Sequence, residues 1–356
     1  MPHRLRVLLH GYGLAGRVFH APLITAADDL ELVAIVTADP DRAAAATAEH
    51  AGVEVLPDAD AAWTRSGEFD LAVVATANVA HVPLTRAALD HGLHVVVDKP
   101  LAPDAATASA LVEQAAAMDR QLHVFQNRRW DSDFLTLQSL LADGHLGRVH
   151  RLESRFERWR PRPSEGWREQ SDPAAMGGLL YDLGSHLVDQ AILVSGPVRS
   201  LYAEVRPVRD GAKVDDDVFI ALDHVGGAVS HLWASAVAAD PSPRFRVLGT
   251  AGSWVVQGLD GQEAALRSGR RPGDPTWGAD PSSRGSTRWP EGEPLQLLAG
   301  SWERYYPAVA ASILGNTPPP VRTGEVVEVL RVLDAARASA ASRCVVQLDP
   351  PAGLEN

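Results

Sequence analysis

The chain has 356 residues, 46% hydrophobic and 22% charged, a profile that suits two globular domains better than one core. Its single cysteine, Cys344, excludes a disulfide framework or a cysteine-based zinc site within one chain. A formal net charge of -12 argues against nucleic acid as a partner, because phosphate binding needs a basic surface. The opening MPHRLRVLLHGYG lacks the apolar core of a secretory signal. No apolar run approaches the ~20 residues that span a bilayer. A cytoplasmic protein with no membrane partner is therefore expected.

In chain order, Arg6-Val7-Leu8-Leu9 reads as a buried strand ending in the turn Gly11-Tyr12-Gly13-Leu14-Ala15-Gly16. A helix-like apolar stretch and a second strand, residues 32–36, follow. The pattern then predicts a helix at 43–50, a strand at 71–75, a helix at 82–91 and a strand at 94–97. A helix at 105–118 and a strand at 122–125 close the series. Continuously apolar strands alternating with helices predict a parallel sheet covered on both faces. Beyond this point the texture changes. Helices are expected at 132–142, 179–194 and 324–342. Half-exposed strands are expected at 149–158, 201–208, 217–223, 228–234, 245–249 and 344–348. That mixture predicts an α+β second domain with an antiparallel sheet. The boundary is placed between 1–122 and 123–356. Residues 258–294, rich in Gly, Pro, Arg and Ser, fit a mobile flap or short hairpins equally.

The glycine turn stands between a strand and a helix, where a dinucleotide-binding turn belongs. Gly11 permits the tight turn, Gly13 lets backbone approach a pyrophosphate, and Gly16 lets helix and strand pack closely. The helix N-terminus offers N–H groups to the anion. The second strand ends in Thr37-Ala38, with Asp39 and Arg42 beyond. Thr37 can donate to a phosphate and Arg42 can pair with a 2′-phosphate, which favours NADP. Asp39 is the counter-signal, since a carboxylate there suits the ribose of NAD, the alternative cofactor. Arg42 reads equally well as an exposed helix residue.

Nearly all basic residues are arginine; the only lysines are Lys99 and Lys213. Lysine, unlike arginine, can give up a proton, so Lys99 at the end of a predicted strand is a candidate for chemistry. Asp182 and His186 stand four apart on a predicted helix and share a face, with Asp189 three further on. Such a pair is a base with its partner or a simple helix ion pair. Asp-x-x-x-His lacks a third ligand, so no metal is expected. Gly177-Gly178, at the start of that helix, suggests close backbone approach to a ligand. Arg155, Arg158 and Trp159 line a pocket or belong to a half-exposed strand. His20 approaches the cofactor or caps a turn. His231 and Trp233 read as sheet-face packing.

Residues 11–24 (GYGLAGRVFHAPLI), Val96-Val97-Asp98-Lys99-Pro100, Asn127 to Phe134 (NRRWDSDF), Trp167-Arg168-Glu169-Gln170 and residues 177–189 (GGLLYDLGSHLVD) together resemble the Gfo/Idh/MocA oxidoreductases. Within that family the likeness is greatest to the NADP-dependent scyllo-inositol dehydrogenase branch. The resemblance implies an α/β Rossmann domain followed by an α+β domain with a large, mostly antiparallel open sheet. That sheet's free face commonly joins subunits, which implies a homodimer or homotetramer. The family's Glu-Lys-Pro is Asp98-Lys99-Pro100 here, as in the inositol branch. Cofactor contacts carry over to Gly11, Tyr12, Gly13, Leu14, Ala15, Gly16, Thr37, Ala75, Thr76, Asn78, His81, Asp98 and Lys99. Arg128, Trp167 and Arg168 match positions on the nicotinamide side.

The same likeness makes His186 the acid/base, Lys99 the group that polarises the substrate oxygen, and Asp182 the residue that positions a polyol or sugar. Asn127 and Arg155 join the substrate set. The implied reaction is reversible hydride transfer between NADP and a secondary alcohol, with an inositol-like substrate as the first expectation. Another aldose or keto-sugar reductase, or a non-catalytic NADP-binding sensor, is the alternative.

Overall fold

The computed structural model describes residues 4–163, 169, 171–279, 286–290, 292–315 and 317–349. The chain opens with β1 (Leu5–His10), a π-helical segment Ala15–His20 and α1 (Ala21–Thr25). Then come β2 (Leu30–Val36), α2 (Pro40–Glu49), β3 (Glu54–Leu56), α3 (Ala59–Trp63) and β4 (Leu71–Val74). The run ends with α4 (His81–Asp90), β5 (His94–Asp98), α5 (Ala105–Ala117) and β6 (Leu122–Phe125). All six strands lie parallel in the order β3-β2-β1-β4-β5-β6. β4 and β6 are buried along their whole length, as a sheet covered by helices on both faces demands. This is the doubly wound Rossmann topology, which gathers ligand-binding loops at the carboxyl ends of its strands.

Next follow α6 (Ser132–Ala142), β7 (Val149–Glu157), a second π-helical segment Leu180–Gly184, α7 (Ser185–Ser195), β8 (Val198–Arg206) and β9 (Asp217–His224). β10 (Val229–Ser235), β11 (Phe245–Gly249), β12 (Ser253–Val256), α8 (Gln262–Arg267), β13 (Ser286–Trp289) and β14 (Glu293–Pro294) come after them. α9 (Tyr305–Ile313), α10 (Thr323–Ser342) and β15 (Val346–Gln347) complete the described elements. Nine strands form one sheet, antiparallel throughout except where β7 runs parallel to β10. β9 alternates half-exposed and buried positions along its length, the mark of a sheet with one covered face. α7 packs on β7 and β10, and the Ser339 hydroxyl of α10 accepts the Ala203 N–H of β8.

Chain contacts separate two compact units. The first comprises Met1–Trp130, Gln262–Gly278 and Ser301–Val327, and the second comprises the rest. A single cut after residue 122 does not describe this division. β6 pairs in register with β5 from Leu122 to Phe125, and Phe125 packs against Tyr305 and Tyr306 of α9. The reason is apolar cover: the edge of the parallel sheet is completed by segments remote in sequence.

Three further differences concern local structure. The stretch expected as one helix over 179–194 begins as a π-helix and becomes α-helical only at Ser185. Within 258–294 the short-hairpin alternative holds for β13 and β14, and β13 also pairs with β12, while α8 was not expected there. The short β3, α3, β12 and α9 gave too little periodicity to read. Among the described residues no helix is long and apolar enough to cross a membrane.

Candidate functional site

The glycine turn joins β1 to the first π-helical segment at the carboxyl edge of the parallel sheet. Gly11 has φ +94°, and a Cβ there would lie 2.7 Å from the Ala75 carbonyl oxygen. A Cβ on Gly16 would lie 2.0 Å from the Gly11 carbonyl oxygen. These two glycines are therefore required by the protein's own packing. Gly13 differs: a Cβ there would meet nothing closer than the Arg42 guanidinium, at 3.6 Å. No backbone of the protein crowds Gly13, so the main chain there can be approached closely. Leu14, exposed, and Ala15 lead into the helix. Tyr12 is buried and its hydroxyl donates to Glu49 Oε2 at 2.7 Å, so its side chain is committed within the protein.

At the end of β2 the Asp39 carboxylate caps α2, accepting the N–H groups of Asp41 and Arg42. Its other oxygen lies 3.4 Å from Arg42 Nε. Capping commits the carboxylate to the protein's own backbone. The Thr37 hydroxyl accepts the Asp39 N–H at 3.4 Å.

At the end of β5, Asp98 Oδ1 accepts the Lys99 N–H at 2.8 Å, and the Lys99–Pro100 peptide is cis. His81, at the start of α4, is fully buried beneath this loop. Burial lowers its pKa and favours the neutral ring, so Nδ1–H donates to the Pro100 carbonyl oxygen at 2.8 Å. Ala75 and Asn78 are buried and Thr76 half-buried in the loop after β4. Burial pushes the Asp98 carboxyl up, but His20, aided by Lys99 and His81, outweighs it and holds the group below the usual carboxylate range. His20 itself neither lies open to a cofactor nor caps a turn. It is buried, with Nδ1 2.6 Å from the Tyr306 hydroxyl and Nε2 3.6 Å from Asp98 Oδ2.

After β6, Asn127, Arg128 and Arg129 are buried in a 3₁₀ turn, Asn127–Trp130. They are not a solvated helix start. Arg128 pairs with Glu263 of α8 at 3.3 Å, and Arg129 pairs with Glu325 at 2.7 Å. Both carboxylates come from segments that rejoin the first unit late in the chain, which no sequence spacing could reveal. Trp167 and Arg168 lie outside the described residues.

In the second unit, Asp182 sits in the π-helical segment and His186 in the first turn of α7. The π-to-α junction falls between them. His186 is buried and its ring lies 6.4 Å from that of Phe156; Asp182 is half-buried and Asp189 buried. Arg244 and Asp215 both anchor this segment. Arg244 donates to Gln190 Oε1 at 2.6 Å, one turn beyond His186. Asp215 Oδ2 accepts the Leu180 N–H at 2.7 Å. Gly178, with φ +89°, owes its missing Cβ to that same carboxylate, which would lie 2.1 Å away. The close approach expected of a ligand is made by Asp215. Burial raises the Asp215 carboxyl to about 6 despite the backbone N–H groups it accepts.

Arg155 stacks over Trp233 at 3.9 Å and pairs with Glu153 at 2.8 Å, on the half-exposed sheet face that also carries Phe219 and His231. Among the described residues no group of three or more His, Cys, Asp or Glu could hold a metal ion.

Two family models match the chain. Residues 5–126 match an oxidoreductase family with an NAD-binding Rossmann fold, and residues 134–255 match the GFO/IDH/MocA C-terminal domain. The chain is 38% identical to the uncharacterized oxidoreductase YdgJ of Escherichia coli, over 98% of this chain and 100% of that protein. It is 32% identical to the scyllo-inositol 2-dehydrogenase (NADP(+)) IolW of Bacillus subtilis, over 97% of this chain and 96% of the relative. Among solved structures, the oxidoreductase yvaA from Bacillus subtilis superposes with a TM-score of 0.89 at 30% identity, covering 98% of this chain and 99% of that one.

Proposed function

The chain belongs to the Gfo/Idh/MocA family of NAD-binding oxidoreductases, and from that premise we propose that it interconverts a secondary alcohol and a ketone on a polyol or sugar, with NADP as the preferred cofactor. The observation that carries the reading lies at the carboxyl edge of the parallel sheet. There the open Gly13 turn ends β1 and Lys99 ends β5. An inositol-like ring is the first substrate to test, because the relative IolW bears that name.

When bound, NADP supplies the hydride acceptor for oxidation and the donor for the reverse reaction. The residues that would hold it are Gly11 to Gly16, Thr37, Arg42, Ala75, Thr76 and Asn78. Arg42 lies beside Gly13 and Asp39 is occupied as a helix cap, an arrangement that suits a 2′-phosphate better than a bare ribose. Lys99 stabilises negative charge developing on the substrate oxygen. His186 takes the hydroxyl proton as general base, and Asp182 orients the ring hydroxyls. Arg128 is held by Glu263 in the first unit, a placement compatible with a nicotinamide-side role. The half-exposed face carrying Phe219, His231 and Trp233 supports assembly as a homodimer or homotetramer. The cytoplasm, with its NADP pool, suits the reaction.

The test is a set of initial rates with NADP and NAD against inositols, aldoses and their keto forms. Lys99→Met and Arg42→Ala are run beside the wild type. Turnover of an inositol, at least ~100-fold weaker in Lys99→Met, supports the reading. A KM increase for NADP alone in Arg42→Ala supports the cofactor preference. Turnover of an open aldose only would move the substrate to the reductase alternative. Tight cofactor binding with no turnover on any substrate would leave a sensor.

A further inference from the structure

The first unit buries a chain of polar groups that the proposed reaction does not use. His20 ends the first π-helical segment with no exposure, its ring against Phe125 at 4.5 Å. Nδ1 faces the Tyr306 hydroxyl at 2.6 Å, and Nε2 faces Asp98 Oδ2 at 3.6 Å. Asp98 in turn accepts the Lys99 N–H. The groups around this chain are Asp98, Lys99, His81, Tyr305, Tyr306 and, through Tyr305, Arg129.

Donor and acceptor roles follow from burial. Tyr306 is fully buried, and burial lifts its hydroxyl well above its ordinary range, so it keeps its proton. That proton needs an acceptor, and His20 Nδ1 is within hydrogen-bond reach. A nitrogen that accepts cannot also carry a hydrogen, so the ring hydrogen sits on Nε2 and points toward Asp98. At 3.6 Å this contact is electrostatic and longer than an ordinary hydrogen bond.

We propose that His20 is a positioning residue: locked by Tyr306 as the Nε2–H tautomer, it turns its ring hydrogen toward Asp98 Oδ2 and so fixes the carboxylate whose other oxygen holds the Lys99 main chain. The proposal rests on the reading of Lys99 as the group that faces the substrate oxygen. Asp98 is the link, because its two oxygens face His20 and the Lys99 N–H. The setting of the lysine then depends on a tyrosine that arrives from α9, some two hundred residues later in the chain.

The experiment has two arms, both on the full chain. In the first, ring-¹⁵N-labelled histidine is followed by NMR, with the His20 signal assigned by its loss in His20→Gln. The wild type is expected to show the Nε2–H tautomer across pH 6 to 8, and Tyr306→Phe is expected to lose it. An Nδ1–H tautomer in the wild type overturns the proposal without reference to activity, so it stands apart from a failure of the functional reading. In the second arm, Tyr306→Phe is expected to lower kcat by ~10-fold, with KM for NADP within ~2-fold, because Lys99 loses its setting while the glycine turn is untouched. An unchanged kcat beside a lowered melting temperature would mean that His20 and Tyr306 only fill space, and would overturn the proposal.

Discussion

The two units each place glycine before a π-helical segment, yet the missing side chains serve different ends. At Gly16 the space is taken by the Gly11 carbonyl, and at Gly178 by the Asp215 carboxylate. At Gly13, between Gly11 and Gly16, the space stays open apart from Arg42. A glycine near a helix start is thus one sequence signal with three physical meanings: backbone meeting backbone, backbone meeting a side chain, and open space. Under the proposed function only the last is a binding signal.

The comparison can be broken at each position. Gly16→Ala forces a Cβ to 2.0 Å from a carbonyl oxygen, and neither backbone can yield without separating helix from strand. A stability loss of about 3 kcal/mol or more is expected, measured by chemical denaturation, with cofactor binding lost as well. Near-wild-type stability would mean that the turn is not built this way. Gly178→Ala meets a carboxylate in place of backbone and also strains a positive φ. It should cost about 2–3 kcal/mol and displace the start of the helix that carries Asp182 and His186. Here kcat is expected to fall while NADP affinity holds, the reverse of the pattern at Gly13.

Asp215→Asn sharpens the same contrast through pH. The folded carboxyl titrates at about 6 against an ordinary 3.8, so the folded protein binds this proton more tightly than the unfolded chain. The stabilisation is complete below 3.8 and is lost as pH rises through about 6. Asparagine keeps an acceptor for the Leu180 N–H and removes the titration. Between pH 4 and 7 the wild type should therefore lose about 1–2 kcal/mol relative to the variant, the shift being discounted for water that still reaches the group. Parallel stability curves would count against a buried, titrating Asp215. Gly13→Ala should change folding stability least, by under about 0.5 kcal/mol, since its Cβ makes an ordinary contact at 3.6 Å. Its dissociation constant for NADP, read by fluorescence titration, should nevertheless rise ~10-fold or more. Unchanged affinity would move the pyrophosphate away from this turn.

Much of the molecule is legible from local pattern because the forces there are local. Buried parallel strands need unbroken apolar runs, so β1, β2, β4, β5 and β6 announce themselves. Half-covered strands need alternation, which reveals β7, β9 and β10. The turn before a phosphate-binding helix needs small residues at fixed steps, and a lysine among arginines stands out by composition. The π-helical segments escaped notice, because hydrophobic periodicity over five or six residues does not separate π from α.

The sequence by itself determined the order of the longer strands and helices, the dinucleotide turn and Lys99 at a strand end, because each follows from neighbours within a few residues. Tertiary structure alone decided which carboxylate neutralises Arg128 and which Arg129. It alone put Tyr306 and Asp98 on either side of His20, and set Asp215 into the space beside Gly178. Burial made those choices: a polar group removed from water must find its partner wherever the folded chain brings one, and sequence distance sets no limit on that search.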